Sequence, residues 1–257
     1  MKKFLLFITI IAVFSCKKQS NESKNNTDQE TEKEEVTTII DLNRQDSIEY
    51  DSAIVNKLSE KEISSTFTRR KKGQLGIDYP IYQAYSYKDQ LGEYYLLLTD
   101  HFSETNEEND SLYNHIQALK ISNKNKQLKK SSSIKDDIDE DWETSIGFWN
   151  AYSSLTDLDE DGIVDLLLVY GTKGQNDYVD GRVKIMLYHN KRRITIRHQN
   201  SDIKGGRLTK ISSKFYALPE KIQNIIKDKM KLMIKNSHAS FAEGWEDKMK
   251  NSATRIE

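Results

Sequence analysis

The sequence predicts an α+β protein, a mostly antiparallel β-sheet with a covering C-terminal helix. Three observations carry this. Short apolar or alternating runs, bounded by polar turns, recur between about residues 81 and 197. After Pro219 the apolar period changes to i, i+3, i+4. From about Thr38 the composition is that of a folded chain, with 2 prolines in all and no Ser- or Gly-rich linker, so residues 38–257 read as one β-rich domain.

The elements follow in order. Ile81 to Tyr87, then Lys88-Asp89-Gln90-Leu91-Gly92, then Glu93 to Leu98 reads as a hairpin with a glycine-containing turn. Tyr113 to Ile121 reads as a strand ahead of the polar Asn123–Lys126 turn. Ile146 to Tyr152 and Val164 to Tyr170 flank an acidic loop. Val183 to Tyr188 and Arg193 to Arg197 flank His189-Asn190-Lys191-Arg192; Ile194 and Ile196 alternate with polar residues, as a half-buried strand does. Pro219 stands where a first helical residue would, its missing N–H costing nothing there. Ile222, Ile225, Ile226, Lys229, Met230, Met233 and Ile234 then form a stripe that predicts a helix over 218–236 packed on the sheet. Phe241 and Trp245 read as anchors of a short tail.

Composition removes several classes of function. Lysine and arginine total 39 against 40 acids, so the charge excess that drives binding to phosphate backbones is missing and no nucleic-acid partner is expected. A single cysteine excludes an internal disulfide framework and a thiolate metal cluster.

The N-terminus reads as an address. Lys2 and Lys3 precede the apolar run Phe4–Phe14, too short for the roughly 20 residues a bilayer-crossing helix needs. Residues 1–15 therefore read as a signal peptide. The run ends Val13-Phe14-Ser15-Cys16, which resembles the lipobox of bacterial lipoproteins, with Phe14 where that family usually has a small or branched residue. The resemblance implies a diacylglycerol-modified Cys16 as the first mature residue and a lipid anchor in the bacterial cell envelope. Residues 17–35 contain no apolar side chain, so 16–37 read as a lipid-anchored disordered tether, on the order of 25 Å long as a coil. Lys17 and Lys18 point to the outer membrane; its periplasmic and surface faces both stay open.

The sharpest internal motif is Asp157-Leu158-Asp159-Glu160-Asp161-Gly162-Ile163-Val164-Asp165. Alternating carboxylates converge on one hard cation once the backbone curls, and Gly162 permits the curl. Asp157, Asp159 and Asp161 fall at loop positions one, three and five, the Ile163 carbonyl at seven and Asp165 at nine. Position twelve is Leu168, where a helix–loop–helix calcium site carries a bidentate Glu. Four carboxylates suit Ca²⁺ better than zinc or copper. The stretch resembles the calcium loops of the FG-GAP and VCBS repeat families, which implies a calcium-type loop between two strands. Those families build multi-blade propellers from repeated copies; one good copy here predicts no propeller, Asp89–Glu93 being only a degenerate echo. The expected role of Ca²⁺ is structural.

Other signals have plainer readings. Asp136, Asp137, Asp139, Glu140, Asp141 and Glu143 form a second acidic cluster, readable as an ion or catalytic site but expected as a wet, mutually repelling loop. Arg69-Arg70-Lys71-Lys72 is expected as a solvated turn. The five histidines share no metal-binding spacing, and no G-x-S-x-G, P-loop or G-x-G-x-x-G is present, so no catalytic residue is named. Tyr85, Tyr87, Tyr94 and Tyr95 could line a sugar-binding face; aromatic strand residues are more often packing.

Phe148-Trp149, the 157–165 loop, Leu166–Tyr170, the Ile185–Ile196 hairpin and Gly244-Trp245 together resemble small Gram-negative lipoproteins labelled surface polysaccharide biosynthesis proteins. The expected function is a non-catalytic binding or assembly role at the envelope, with a glycan or envelope protein as partner. The alternative is an enzyme or accessory factor of surface polysaccharide metabolism; a calcium-dependent adhesion module is a third reading.

Overall fold

The computed structural model describes Leu42 and residues 47–257. The expected signal peptide, Cys16 and the tether lie outside the described residues. The chain runs β1 (Glu49–Tyr50), β2 (Val55–Lys57), α1 (Glu60–Thr66), α2 (Arg69–Leu75), β3 (Ile81–Asp89), β4 (Gly92–Thr105), β5 (Ser111–Lys124) and β6 (Gln127–Asp137). It continues through β7 (Ser145–Phe148), β8 (Ser154–Thr156), β9 (Asp165–Lys173), β10 (Arg182–His189), β11 (Arg192–Gln199) and β12 (Leu208–Ile211). Helices α3 (Glu220–Lys235) and α4 (Trp245–Lys250) and strand β13 (Arg255–Ile256) complete it.

Strand β9 shows how the layers are stacked. From Asp165 to Thr172 every residue is buried, so this strand is covered on both faces. Leu166, Leu168 and Tyr170 join Tyr85, Tyr87, Leu96, Leu98 and Ile116 in one core. Leu167 and Val169 point the other way, into a core with Ile222, Ile226, Met230 and Met233 of α3. The strands fall into two sheets, β1-β8-β9-β10-β11-β12-β13 with β7 also on β9, and β2-β3-β4-β5-β6. A third core, Ala84, Leu97, Leu119 and Ile121, lies on the far side of the second sheet beneath Ile63 of α1, Phe67 at its C-cap and Leu75 of α2. The order of layers is helix, sheet, sheet, helix.

The expectation of mostly antiparallel sheet with a C-terminal helix holds, with one parallel pair, β1 on β8. A single sheet is corrected to two, because the apolar residues of β3, β4 and β5 alternate between two different cores. Helices α1 and α2 have seven residues each, too few for an apolar period to show, though Ser59 and Glu62 form a capping box at the start of α1. The basic run at 69–72 opens α2 and is not a turn. The expected strand Ile146–Tyr152 is broken after Phe148 by a 3-10 turn at Asn150–Tyr152. Pro219 is the N-cap of α3, one place before its first helical residue. Lys229, the one charge in the helix stripe, reaches Glu49 at 3.0 Å. Phe241 and Trp245 do enter the core beside α3.

Candidate metal centre

Residues 157–164 connect β8 to β9 as a hairpin closed by the pair Thr156 and Asp165. Two apolar side chains fix the loop, Leu158 in the core beneath α3 and Val164 in the core between the sheets. Inside the loop the backbone curls around carboxylates. Asp157 accepts from the Asp161 amide at 3.1 Å and the Gly162 amide at 2.7 Å, and Asp161 accepts from the Ile163 amide at 2.8 Å. Glu160 and Gly162 have φ of 66° and 82°. Gly162 is favoured by its positive φ, and a Cβ there would also push the Gln90 side chain aside.

Gln90 belongs to the β3–β4 turn, which docks on the loop. Its amide donates to the Gly162 carbonyl at 3.3 Å, and Asp89 accepts from the Val164 amide at 3.3 Å. Asp89–Glu93 is thus a brace from the other sheet, a role its sequence does not announce.

Carboxylate oxygens of Asp157, Asp159 and Asp161 lie within 4.8 Å of one another, and Asp159 also lies within that distance of Asp165 and His189. Asp165 is 1% exposed. Its Oδ1 meets His189 Nδ1 at 2.8 Å and its Oδ2 accepts from the Leu158 amide at 3.1 Å. Burial pushes its carboxyl up to about 6, and the bonds from His189 and Leu158 act against that rise. Ile163 contributes its amide to Asp161. Asp159 Oδ1 is sealed from solvent and has no hydrogen-bond partner. A buried acceptor left unmade costs about 1–3 kcal/mol, more when charged, and a bound cation removes that cost. Among the described residues no lysine or arginine forms an ion pair with these four aspartates; Lys221 reaches only the outward-facing Glu160, at 2.6 Å. The donor set and the orphaned oxygen fit a divalent cation.

His189 is the site residue that sequence reasoning missed. The β9–β10 register pairs Leu166 with Tyr188, so one step further sets His189 beside Asp165. The signal was present as a histidine ending one strand and an aspartate beginning its neighbour, but only the pairing register joins them.

The second acidic cluster has a different fate. Glu143 Oε1 accepts from Arg182 Nε at 2.6 Å, Asp136 Oδ1 accepts from Arg182 Nη1 at 3.0 Å, and Lys184 pairs with Asp136 Oδ2. Thr172 donates to Glu143 at 2.6 Å. Despite burial, these partners hold both carboxyls below their usual range. Asp136 and Glu143 are therefore structural anions, not part of a wet loop; Glu140 and Asp141 are exposed.

The four tyrosines are packing. Tyr85 and Tyr87 are buried between the sheets, Tyr94 lies at the edge of that core under Lys120, and Tyr95 packs edge-on to Phe67. A groove of about 850 Å³ opens elsewhere, lined among others by Tyr82, Asp100, Asp110, Tyr113 and Trp149. Burial pushes the Asp100 carboxyl up to about 6. Among the described residues no helix is long and apolar enough to cross a membrane.

Fold and site together define a four-layer sandwich with an acid-rich hairpin loop. No family model, curated protein or solved structure matches the chain.

Proposed function

We propose that the chain is an envelope lipoprotein, anchored through Cys16, whose β-rich domain is braced by a divalent cation, Ca²⁺ first, in the 157–165 loop. The observation that carries the reading is Asp159 Oδ1, buried without a hydrogen-bond partner among carboxylates with which, among the described residues, no lysine or arginine forms an ion pair. The cation's task is structural. Its loop touches the β3–β4 turn of one sheet and the β10 end of the other, so neutralising it locks the two sheets together. A domain so braced acts by binding or assembly at the envelope. Outer-membrane placement rests on Lys17 and Lys18 alone.

The test is a thermal melt in chelator and then in Ca²⁺. At 100 times Kd a ligand adds about 2.7 kcal/mol, which raises the Tm of a domain this size by roughly 5–10 °C. Asp157→Asn should abolish the rise. An unchanged melt in both conditions sinks the cation reading, and a Cys16→Ser protein that stays in the membrane fraction sinks the anchor.

The enzyme reading, in surface polysaccharide metabolism, is supported by the groove, where burial raises the Asp100 carboxyl to about 6. Glycan binding lost in Tyr82→Ala would place the ligand there.

A further inference from the structure

The loop's donors are not all oxygen. His189 is 8% exposed and sits at the end of β10, fixed by the tight turn at Asn190-Lys191, both of positive φ. Its Nδ1 lies 2.8 Å from Asp165 Oδ1. With that nitrogen donating to the carboxylate, a neutral imidazole carries its lone pair on Nε2. Nε2 is 3.1 Å from Asn190 Nδ2 and 3.8 Å from Asp159 Oδ2. The other oxygen of that same carboxylate is the buried atom without a partner. The Nε2 lone pair, to which the Asn190 amide also donates, and a carboxylate thus face each other in a largely enclosed space.

Two acceptors arranged like this are reconciled either by a proton on Nε2 or by a cation between them. The arrangement matches the carboxylate–histidine–metal pattern, in which a buried acid fixes the tautomer and direction of a ligating imidazole. Ligands about 2.1 Å from one ion stand roughly 3.0–3.4 Å apart at octahedral or tetrahedral angles, so 3.8 Å closes with a shift well under 1 Å. Calcium takes oxygen ligands, whereas an imidazole added to carboxylates suits first-row transition ions.

We propose that His189 Nε2 is a direct ligand, positioned by Asp165, and that the site takes a divalent first-row transition ion, Zn²⁺ or Mn²⁺, in competition with calcium. The ion is held by His189 and Asp159, with Asp157 and Asp161 on the open side. This rests on the reading of the loop as a cation site and changes which cations it accepts. Asp165 becomes a positioning residue, its oxygens already engaged by His189 and Leu158.

The experiment is calorimetric titration of chelator-treated, full-chain protein with Zn²⁺, Mn²⁺ and Ca²⁺, each alone, followed by displacement of Ca²⁺ by Mn²⁺. His189→Gln keeps a hydrogen-bond donor toward Asp165 and removes the imidazole. It should weaken Zn²⁺ and Mn²⁺ at least tenfold while changing Ca²⁺ affinity less than threefold. Asp165→Asn should weaken Zn²⁺ roughly 10–100-fold, the usual effect of losing such a partner. Circular dichroism of each variant in chelator establishes that it folds. If Ca²⁺ binds but Zn²⁺ and Mn²⁺ do not, or if His189→Gln leaves their affinities unchanged, the inference is overturned and the calcium reading stands. If none of the three binds, both fall.

Discussion

Between Asp136 and Glu143 the carboxylates meet an arginine and a lysine; between Asp157 and Asp165 they meet backbone amides and one imidazole. Arg182 spans Asp136 and Glu143 from β10, and Lys184, two residues on along the same face, takes the remaining oxygen of Asp136. That network carries its own counter-charge. In the loop, the contacts are N–H dipoles from Leu158, Asp161, Gly162 and Ile163, which orient the carboxylates without cancelling them. Two stretches of similar composition therefore differ in what completes them. The first is finished by the chain; the second has a buried carboxylate oxygen that, among the described residues, no hydrogen-bond donor reaches.

The largest effect is expected where the chain supplies the charge. Arg182→Leu strands Glu143, whose side chain is 4% exposed, and half-strands Asp136. Losing one member of a buried pair costs about 3–5 kcal/mol, so the urea midpoint should fall steeply and added Ca²⁺ should not restore it. The same network fixes a pH dependence. Asp136 and Glu143 titrate below their ordinary 3.8 and 4.5 when folded, so in that range the unfolded chain binds more protons. Their contribution is full above about pH 4.5 and is lost as pH falls through the lowered folded values. Arg182→Leu should flatten this acid limb of the stability profile. A variant with a small stability loss and an unchanged acid limb would erase the distinction between the two regions.

The stretches also show what the sequence discloses. The loop's curl was legible because its aspartates, its glycine and its anchor Val164 lie within nine consecutive residues. His189 was hidden by 24 residues of chain, and Arg182 by 39 from Glu143. Each is brought in by strand register, which no local spacing records. The fold shows the same limit. The β3–β4 hairpin and α3 follow from local alternation and period; α3 formed close to its expected bounds, while β4 runs on from Leu98 to Thr105. The second sheet and its helices were missed because Ala84 and Tyr85, neighbours on one strand, serve different cores. Alternation shows that a strand has two faces, but not what covers each.

The smallest expected effect refines the comparison most. Among the described residues, Lys221 of α3 is the one lysine or arginine paired with a carboxylate of the 157–165 stretch, and it pairs with Glu160, which points to solvent. Their side chains are 51% and 81% exposed, a setting in which such pairs are typically worth less than 1 kcal/mol. Lys221→Ala should therefore lower stability by no more than about 0.5 kcal/mol. It should leave the Ca²⁺-dependent rise in Tm intact, because Glu160 takes no part in the inward-facing group of aspartates. If Lys221→Ala instead raised Ca²⁺ affinity tenfold, the lysine would be acting as the loop's counter-charge. The loop would then resemble the Arg182 network, with a protein cation standing where a metal was expected.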